Sequence, residues 1–191
     1  RKIPQLGFYM DGRCRLNDAV ILNSYERCCK DKVAFAENFH VIETYANMMN
    51  PPVLVEPVGK GYVQINPTWP PATQEEMDSF WDLPFTKLPH PRYKGKHIPA
   101  FEMIKFSINT HRGCFGGCNF CTIAAHQGKF IQSRSEESII KEIAGLNKLP
   151  GFAGNISDVG APTANMYGMR GKDPELCAKC RRKSCLFPSP C

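Results

Sequence analysis

The sequence predicts an α/β protein in three parts: an α+β region over residues 1–100, the start of a (β/α) core over residues 101–170, and a basic, cysteine-rich segment over residues 171–191. Three observations support this division. Helix and hairpin patterns fill the first part, and a strand–helix–strand pattern surrounds a glycine-rich loop in the second. Four of the ten cysteines lie in the third.

The first part opens with a short buried strand predicted over Asp18–Leu22. Ser24 is the predicted N-cap of a helix that ends at Asn50–Pro52. Its predicted buried face consists of the apolar residues at helical spacing, Phe35, Phe39, Ile42, Tyr45 or Ala46, and Met49.

A hairpin is predicted next, with strands Val53–Glu56 and Tyr62–Asn66 joined across Gly59–Gly61. Thr73–Glu76 has the pattern of a capping box and predicts a short helix that ends before Pro84. The proline-rich stretch Leu83–Pro99 is predicted to be an extended linker that ends the first part. His90 and His97 lie in this linker, where exposed histidines usually have no special role.

From Ile104 the predicted order is strand, glycine-rich loop, helix, strand. Ser133 or Ser135 caps the helix, which buries Ile139, Ile143 and Leu146, with Ile140 and Ala144 beside them. The second strand is predicted over Asn155–Val159. A unit of this length implies a parallel pair with a right-handed crossover. Because ligands bind at the carboxyl ends of parallel strands, the loop and Gly160–Pro162 are expected to face one pocket.

The composition indicates a globular protein without a membrane span, since 42% of the 191 residues are hydrophobic and 22% are charged. The chain starts without an initiator methionine or a signal-peptide core and stops at Cys191. We therefore expect an internal fragment of a longer protein.

The ten cysteines favour metal ligation over disulfides, because seven of them fall in two tight clusters. Such spacing without a secretory signal points to a reducing, cytoplasmic compartment. Cys28 and Cys29 are adjacent and are expected to be ordinary thiols.

The first cluster is Cys114, Cys118 and Cys121, at C-x3-C-x2-C spacing in the glycine-rich loop. Thiolates are the ligands that iron–sulfur clusters and zinc prefer. Three ligands leave one metal position open for chemistry, whereas a structural zinc site is normally closed by four. The glycines are expected to supply positive φ angles and close backbone approach.

This motif, with Phe120 just before the third cysteine, resembles the signature of the radical S-adenosylmethionine (SAM) enzymes. The wider stretches His111–Cys121 and His126–Arg134 resemble the YgiQ family of that superfamily. Further similarity covers most of the chain, in Leu22–Glu26, Ile98–Ala100, Ser157–Tyr167, Arg170–Pro174 and the terminal cysteines.

The resemblance implies a partial (β/α) radical SAM barrel, preceded by an N-terminal region of the family type. It implies that Cys114, Cys118 and Cys121 hold a [4Fe–4S] cluster, that SAM binds the open iron and that a 5′-deoxyadenosyl radical is generated. A flavodoxin- or ferredoxin-type electron donor is the expected partner. The substrate is not readable, and the fragment alone is expected to be inactive.

Four residues are implied to contact SAM: Phe120 near the adenine, and Gly160, Ala161 and Pro162 near the methionine amino group. The alternative for Phe120 is a core aromatic. His111 and His126 flank the loop and are equally suited to bonding the cofactor or to a structural role.

The second cluster consists of Cys177, Cys180, Cys185 and Cys191. Four cysteines make a closed set, so structural zinc, an auxiliary iron–sulfur cluster and free thiols are the alternatives. The chain carries a formal charge of +6, and a basic excess lies among these cysteines. Cations there offset thiolate charge, or else bind nucleic acid.

Two other functions fit the same patterns. One is an RNA-modifying radical SAM protein of the methylthio- or methyltransferase type, which would use the tail cysteines and their basic residues. The other is a zinc-dependent nucleic-acid-binding module, not an enzyme, in which both cysteine sets are structural.

Overall fold

The computed structural model describes residues 3–161 and 163–191. The chain divides into two compact units, each assembled from separate stretches. Unit 1 consists of Arg1–Pro71, Phe115–Lys129 and Gly171–Cys191, and unit 2 of Ala72–Cys114 and Phe130–Arg170. The predicted three-part division along the chain stays a prediction.

Unit 1 contains a four-stranded sheet in the order β1-β4-β3-β2. Its strands are β1 (Gly7–Asp11), β2 (Val20–Ile21), β3 (Leu54–Val58) and β4 (Gly61–Ile65). The predicted hairpin is confirmed, because β3 and β4 pair antiparallel across a turn at Gly59. The predicted first strand is present but shorter, and it pairs parallel to β3.

The predicted long helix is two helices, α1 (Tyr25–Cys28) and α2 (Lys32–Ala46). Ser24 caps α1 as predicted, and its side chain accepts a hydrogen bond from the Arg27 amide. Asp31 interrupts the helix, because its side chain accepts from the Val33 amide and caps α2.

The predicted buried face of α2 is wrong. Phe35 is 62% exposed and Phe39 is 56% exposed, whereas Ala34 and Asn38 are buried. Asn38 turns inward because its side-chain amide accepts from the Asn23 amide at 2.8 Å and donates to the Asn23 carbonyl at 2.9 Å. Hydrogen bonding of the Asn23 backbone therefore decides which face of α2 is buried, and the helical spacing of the aromatic residues does not.

Unit 2 begins with α3 (Gln74–Trp81). The predicted capping box is confirmed, with the Thr73 side chain accepting from the Glu76 amide and the Glu76 side chain from the Thr73 amide. The predicted linker contains a 3₁₀ turn at Pro91–Tyr93, and its end is helical instead of extended, because α4 (Pro99–Ile104) begins at Pro99. Proline is favoured at the first position of a helix.

The strand–helix–strand unit is confirmed. Strand β5 (Ser107–Asn109) pairs parallel with β8 (Asp158–Gly160), and α6 (Glu136–Leu146), capped by Ser135, lies between them in sequence. The core of this unit is formed by Ile108, Ile139 and Leu146, with Ile143 packed against it. Ile140 and Ala144, both predicted beside this buried face, are exposed instead. These small sheets make a mixed α/β fold.

Three further elements adjoin the cysteine-rich loop in sequence. Strands β6 (His111–Arg112) and β7 (Gln132–Ser133) form an antiparallel pair that the sequence did not predict, and α5 (Ile123–Gln127) lies between them along the chain. Helix α7 (Pro174–Lys179) contains Cys177, the first tail cysteine, and Asp173 caps its start.

Arg134 is the largest fully buried side chain of unit 2, at 1% exposed. Its guanidinium donates to the Asn109 carbonyl at 2.8 Å and to the Ser138 carbonyl at 2.9 Å. The guanidinium also pairs with one oxygen of the Glu142 carboxylate, and the Lys87 ammonium pairs with the other oxygen. This network ties the end of β5 to the first turn of α6.

No helix within residues 3–161 and 163–191 has the length and apolar character needed to cross a membrane.

Candidate functional site

The three cysteines of the glycine-rich loop are free thiols. Cys114 and Cys121 are half-buried, whereas Cys118 is exposed, and the Cys121 amide donates to the Cys118 carbonyl at 3.1 Å. Cys114 is the last residue of a segment of unit 2, and Cys118 and Cys121 belong to unit 1. All ten cysteines of the chain are free, so none is held in a disulfide.

Gly113 and Gly117 confirm the conformational role predicted for the loop glycines. Gly113 has φ +96°, and a Cβ there would collide with the carbonyl oxygen of Phe130 and lie 2.9 Å from its carbonyl carbon. Gly117 has φ +62°, and a Cβ there would lie 2.7 Å from the Lys183 carbonyl oxygen. Both positions therefore need a residue without a side chain.

Within unit 1, the tail holds the backbone of the loop. The Ser184 hydroxyl donates to the Gly116 carbonyl at 2.7 Å, and the Cys185 amide donates to the Phe115 carbonyl at 3.0 Å. Ser184 is buried and also accepts from the amides of Leu186 and Phe187. The second cysteine set thus lies directly against part of the first cysteine loop.

Within unit 2, the carboxyl ends of the two parallel strands meet as predicted. The Gly160 carbonyl accepts from the Thr110 amide at 2.7 Å and from the Thr110 hydroxyl at 3.2 Å. Gly160 and Ala161 are half-buried. Pro162, the third predicted SAM contact of this stretch, lies outside the described residues.

Asn109, the last residue of β5, has a buried side-chain oxygen with no hydrogen-bond partner among the described residues. Buried acceptors are normally satisfied, and an orphaned one invites a donor from a ligand or water. A ligand with a hydrogen-bond donor could therefore bond the Asn109 side-chain oxygen at the strand ends of unit 2.

A cavity of about 430 Å³ opens at this edge of unit 2. Thr110, Val159 and Tyr167 line one side of it, and Ile139 of α6 lines another. Its volume falls within the range of small-molecule sites. The described residues that line this cavity do not include Cys114, Gly160 or Ala161.

The aromatic and histidine residues of the motif differ in exposure. Phe120 is 92% exposed, which rules out a core aromatic and leaves its ring free for contact. His126 is exposed on α5. His111 is fully buried, and its ring nitrogens hydrogen-bond the Thr110 hydroxyl at 2.9 Å and the Thr163 hydroxyl at 3.2 Å. His111 thus has a structural role.

Burial lowers the pKa of His111 below its ordinary value of 6.5. The unfolded chain therefore binds a proton more readily than unit 2 does, and stability is lost as the pH falls below about 6.5. We expect His111→Gln to reduce the loss of unfolding free energy between pH 7 and pH 5, measured by urea unfolding at each pH. The exposed His97, changed to Gln, is the control and should leave that slope unchanged. Equal slopes for parent and His111→Gln would contradict the assignment.

The four tail cysteines lie in unit 1. Burial raises the pKa of the Cys185 thiol, and the Cys191, Cys180 and Cys177 thiols raise it further, while Lys129 lowers it. The Cys185 thiol is therefore within electrostatic range of the other three. Lys129 is itself buried and donates to the Cys180 sulfur at 3.5 Å.

Across residues 3–161 and 163–191, no three histidine, cysteine, aspartate or glutamate side chains form a group that could hold a metal ion. The donor set of the three-cysteine loop nevertheless fits a [4Fe–4S] cluster by its chemistry. Its three thiols are free and accessible, and two glycines let the backbone approach closely. The residues present therefore fit the implied group.

Lys129 and Arg134 are the important residues that the sequence analysis did not single out. Each is a buried cation, at 4% and 1% exposed, in the stretch after the third cysteine. Lysine and arginine are almost never fully buried without a partner, but that burial is not visible in a sequence. The partners of Lys129, Cys180 and Arg182, lie far along the chain, and Arg134 reaches the Asn109 carbonyl 25 residues before it, so local spacing carries no signal for these contacts.

Comparison with known proteins identifies the region before the loop. The family model described as "Radical SAM N-terminal" matches residues 1–107. No solved structure matches the chain.

Curated relatives extend the similarity over about nine-tenths of the chain. A UPF0313 protein of Bacteroides thetaiotaomicron is 53% identical over 91% of this chain and 28% of its own length. The UPF0313 proteins YgiQ of Salmonella typhimurium and of Escherichia coli K12 are each 49% identical over 90% of this chain, covering 24% and 23% of their lengths. The chain thus spans about a quarter of the length of the curated relatives it matches.

Proposed function

The chain belongs to the radical SAM N-terminal family, and from that premise we propose that it is the part of a radical SAM enzyme that binds a [4Fe–4S] cluster and SAM. The observation that carries the proposal is the loop of three free thiols at C-x3-C-x2-C spacing, shaped by two glycines without room for a side chain. Cys114, Cys118 and Cys121 would hold the cluster and leave one iron open for SAM.

A bound cluster would supply the single electron for reductive cleavage of the SAM sulfonium, whose products are methionine and a 5′-deoxyadenosyl radical. The residues of this chain position the two cofactors. The exposed Phe120 ring is available to contact the adenine. Gly160 and Ala161 would contact the methionine moiety, and Thr110 fixes the Gly160 carbonyl with two hydrogen bonds.

A flavodoxin- or ferredoxin-type donor would supply the electron, and free thiolate ligands favour a reducing, cytoplasmic setting. We extend the (β/α) unit to a partial barrel, because β5, α6 and β8 have the order of one repeat of it. The substrate stays open, since the matched relatives are about four times longer than this chain.

The first test is iron content after anaerobic reconstitution with iron and sulfide. We expect the chain with Cys114, Cys118 and Cys121 all changed to Ala to bind about four fewer irons than the parent. SAM should alter the electron paramagnetic resonance spectrum of the reduced parent, because it binds the open iron.

Cys28→Ala/Cys29→Ala is the matched control, because it removes two thiols from α1 and the residue after it. It should retain the iron and the response to SAM. Equal iron in the parent and the triple variant would refute the cluster assignment. A colourless protein that binds only zinc at this loop would instead favour a zinc-dependent binding module.

A further inference from the structure

We propose that Cys177, Cys180, Cys185 and Cys191 bind a second, thiolate-held metal centre, and that Lys129 positions and charge-balances it. This centre is independent of the proposed SAM site and uses residues of unit 1 alone. Its ligand is a thiophilic metal, either a single Zn²⁺ or iron with sulfide.

The backbone already brings the four cysteines together in pairs. Cys177 lies in the last turn of α7, and the Cys180 amide donates to its carbonyl at 3.2 Å. The Cys191 amide donates to the Cys185 carbonyl at 2.8 Å. The backbone bonds thus place the four cysteines in two pairs, and four cysteines are the ligand set of a closed tetrahedral thiolate site.

Lys129 places a buried positive charge beside the first pair. At 4% exposed, its ammonium donates to the Cys180 sulfur at 3.5 Å and to the Arg182 carbonyl at 2.9 Å. Four thiolates on one centre carry excess negative charge, and a buried cation offsets part of it.

The tail lacks an apolar core that would hold it folded. From Gly171 to Cys191, a stretch that the structure describes completely, Ser184 is the only buried side chain. Leu176 is 59% exposed, Leu186 is 52% exposed and Phe187 is 76% exposed. Short segments of this kind gain their folding free energy from a bound metal.

The thiols do not form a ready-made group among the described residues, so metal binding must draw them closer together. The tail that would close around the metal is also the segment whose Ser184 and Cys185 bond Gly116 and Phe115. A filled tail centre would therefore order the backbone beside Cys118. This gives the centre a function, which is to brace the three-cysteine loop.

The experiment uses the full chain with Cys114, Cys118 and Cys121 changed to Ala, so that failure of the SAM proposal cannot affect it. We expect this protein, purified anaerobically, to retain about one metal centre per chain. Further change of Cys177 and Cys180 to Ala should remove the metal, whereas change of Cys28 and Cys29 to Ala should not. Acid-labile sulfide distinguishes an iron–sulfur cluster from a single Zn²⁺.

Alkylation mapping decides the question even if a tail variant fails to fold. In the triple variant stripped of metal, added Zn²⁺ should slow alkylation of all four tail cysteines and leave that of Cys29 unchanged. A metal-free triple variant whose tail cysteines react as fast as Cys29, with or without Zn²⁺, would overturn the proposal.

Lys129→Met should weaken Zn²⁺ retention by about tenfold in competition with a chromophoric chelator, as removal of outer-shell partners does. Lys129→Arg keeps the charge and should restore part of that affinity. If both variants hold Zn²⁺ as tightly as the triple variant, Lys129 has no role at the centre.

Discussion

Replacement of Arg134 by alanine is expected to lower the free energy of unfolding of unit 2 by about 3–5 kcal/mol. Arg134 is 1% exposed, and its guanidinium also stacks over the Trp81 ring at 5.1 Å. Removing it leaves the Glu142 carboxylate buried with part of its pairing lost and leaves two backbone carbonyls without their donors. A buried charge without its full set of partners is far less stable than one in water.

The measurement is urea unfolding followed by Trp81 fluorescence, with Trp69 changed to Phe so that the signal reports unit 2. Lys141→Ala is the control, because its ion pair with Asp82 is exposed, at 69% and 52% for the two side chains. A surface pair of this kind should change stability by less than about 1 kcal/mol. Similar losses of unfolding free energy for Arg134→Ala and Lys141→Ala would show that the buried network stabilises unit 2 no more than an exposed ion pair does.

Gly113→Ala is expected to reduce stability by about 2–4 kcal/mol and to deplete the loop of iron after reconstitution. Two effects combine here: φ is +96°, which alanine adopts with strain, and the new Cβ would collide with the Phe130 carbonyl. The backbone must move to relieve that collision, and Cys114 is the next residue.

Gly151→Ala separates the backbone strain from the steric collision. Gly151 also belongs to unit 2 and has φ +76°. A Cβ added there would have no neighbouring atom within 4 Å. It should cost only about 1 kcal/mol and leave the iron content unchanged. If the two variants lose the same stability and both keep their iron, the close approach at Gly113 has no consequence.

The sequence predicted those elements whose signals are local. The hairpin of β3 and β4 was predicted from the glycines of its turn, and the parallel pair of β5 and β8 from the amphipathic helix α6 between them. The face of α2 was not, because a polar residue, Asn38, forms two hydrogen bonds with the backbone of Asn23. Such a tertiary hydrogen bond leaves no trace in hydrophobic periodicity.

The candidate site, like the fold, was predictable from the sequence only in part. The three cysteines and the loop glycines were recognisable, because a thiolate motif is local in sequence and its spacing is informative. The contacts that hold the loop were not recognisable in the sequence. Ser184 reaches Gly116, and Lys129 reaches Cys180, across long stretches of chain whose pairing depends on the whole fold.

The segmented make-up of unit 1 has a consequence for the order of folding. The hairpin of β3 and β4 closes a short loop, whereas β1 pairs with β4 across a longer connection, from Gly7 with Ile65 to Asp11 with Gly61. The tail contacts the cysteine loop across a still longer connection, from Ser184 to Gly116. Loop-closure entropy disfavours the longer connections, and synthesis delivers the tail after the loop. We therefore expect the nascent chain to form its hairpin early, while the backbone around Phe115 stays without its tail partners until Cys185 has left the ribosome.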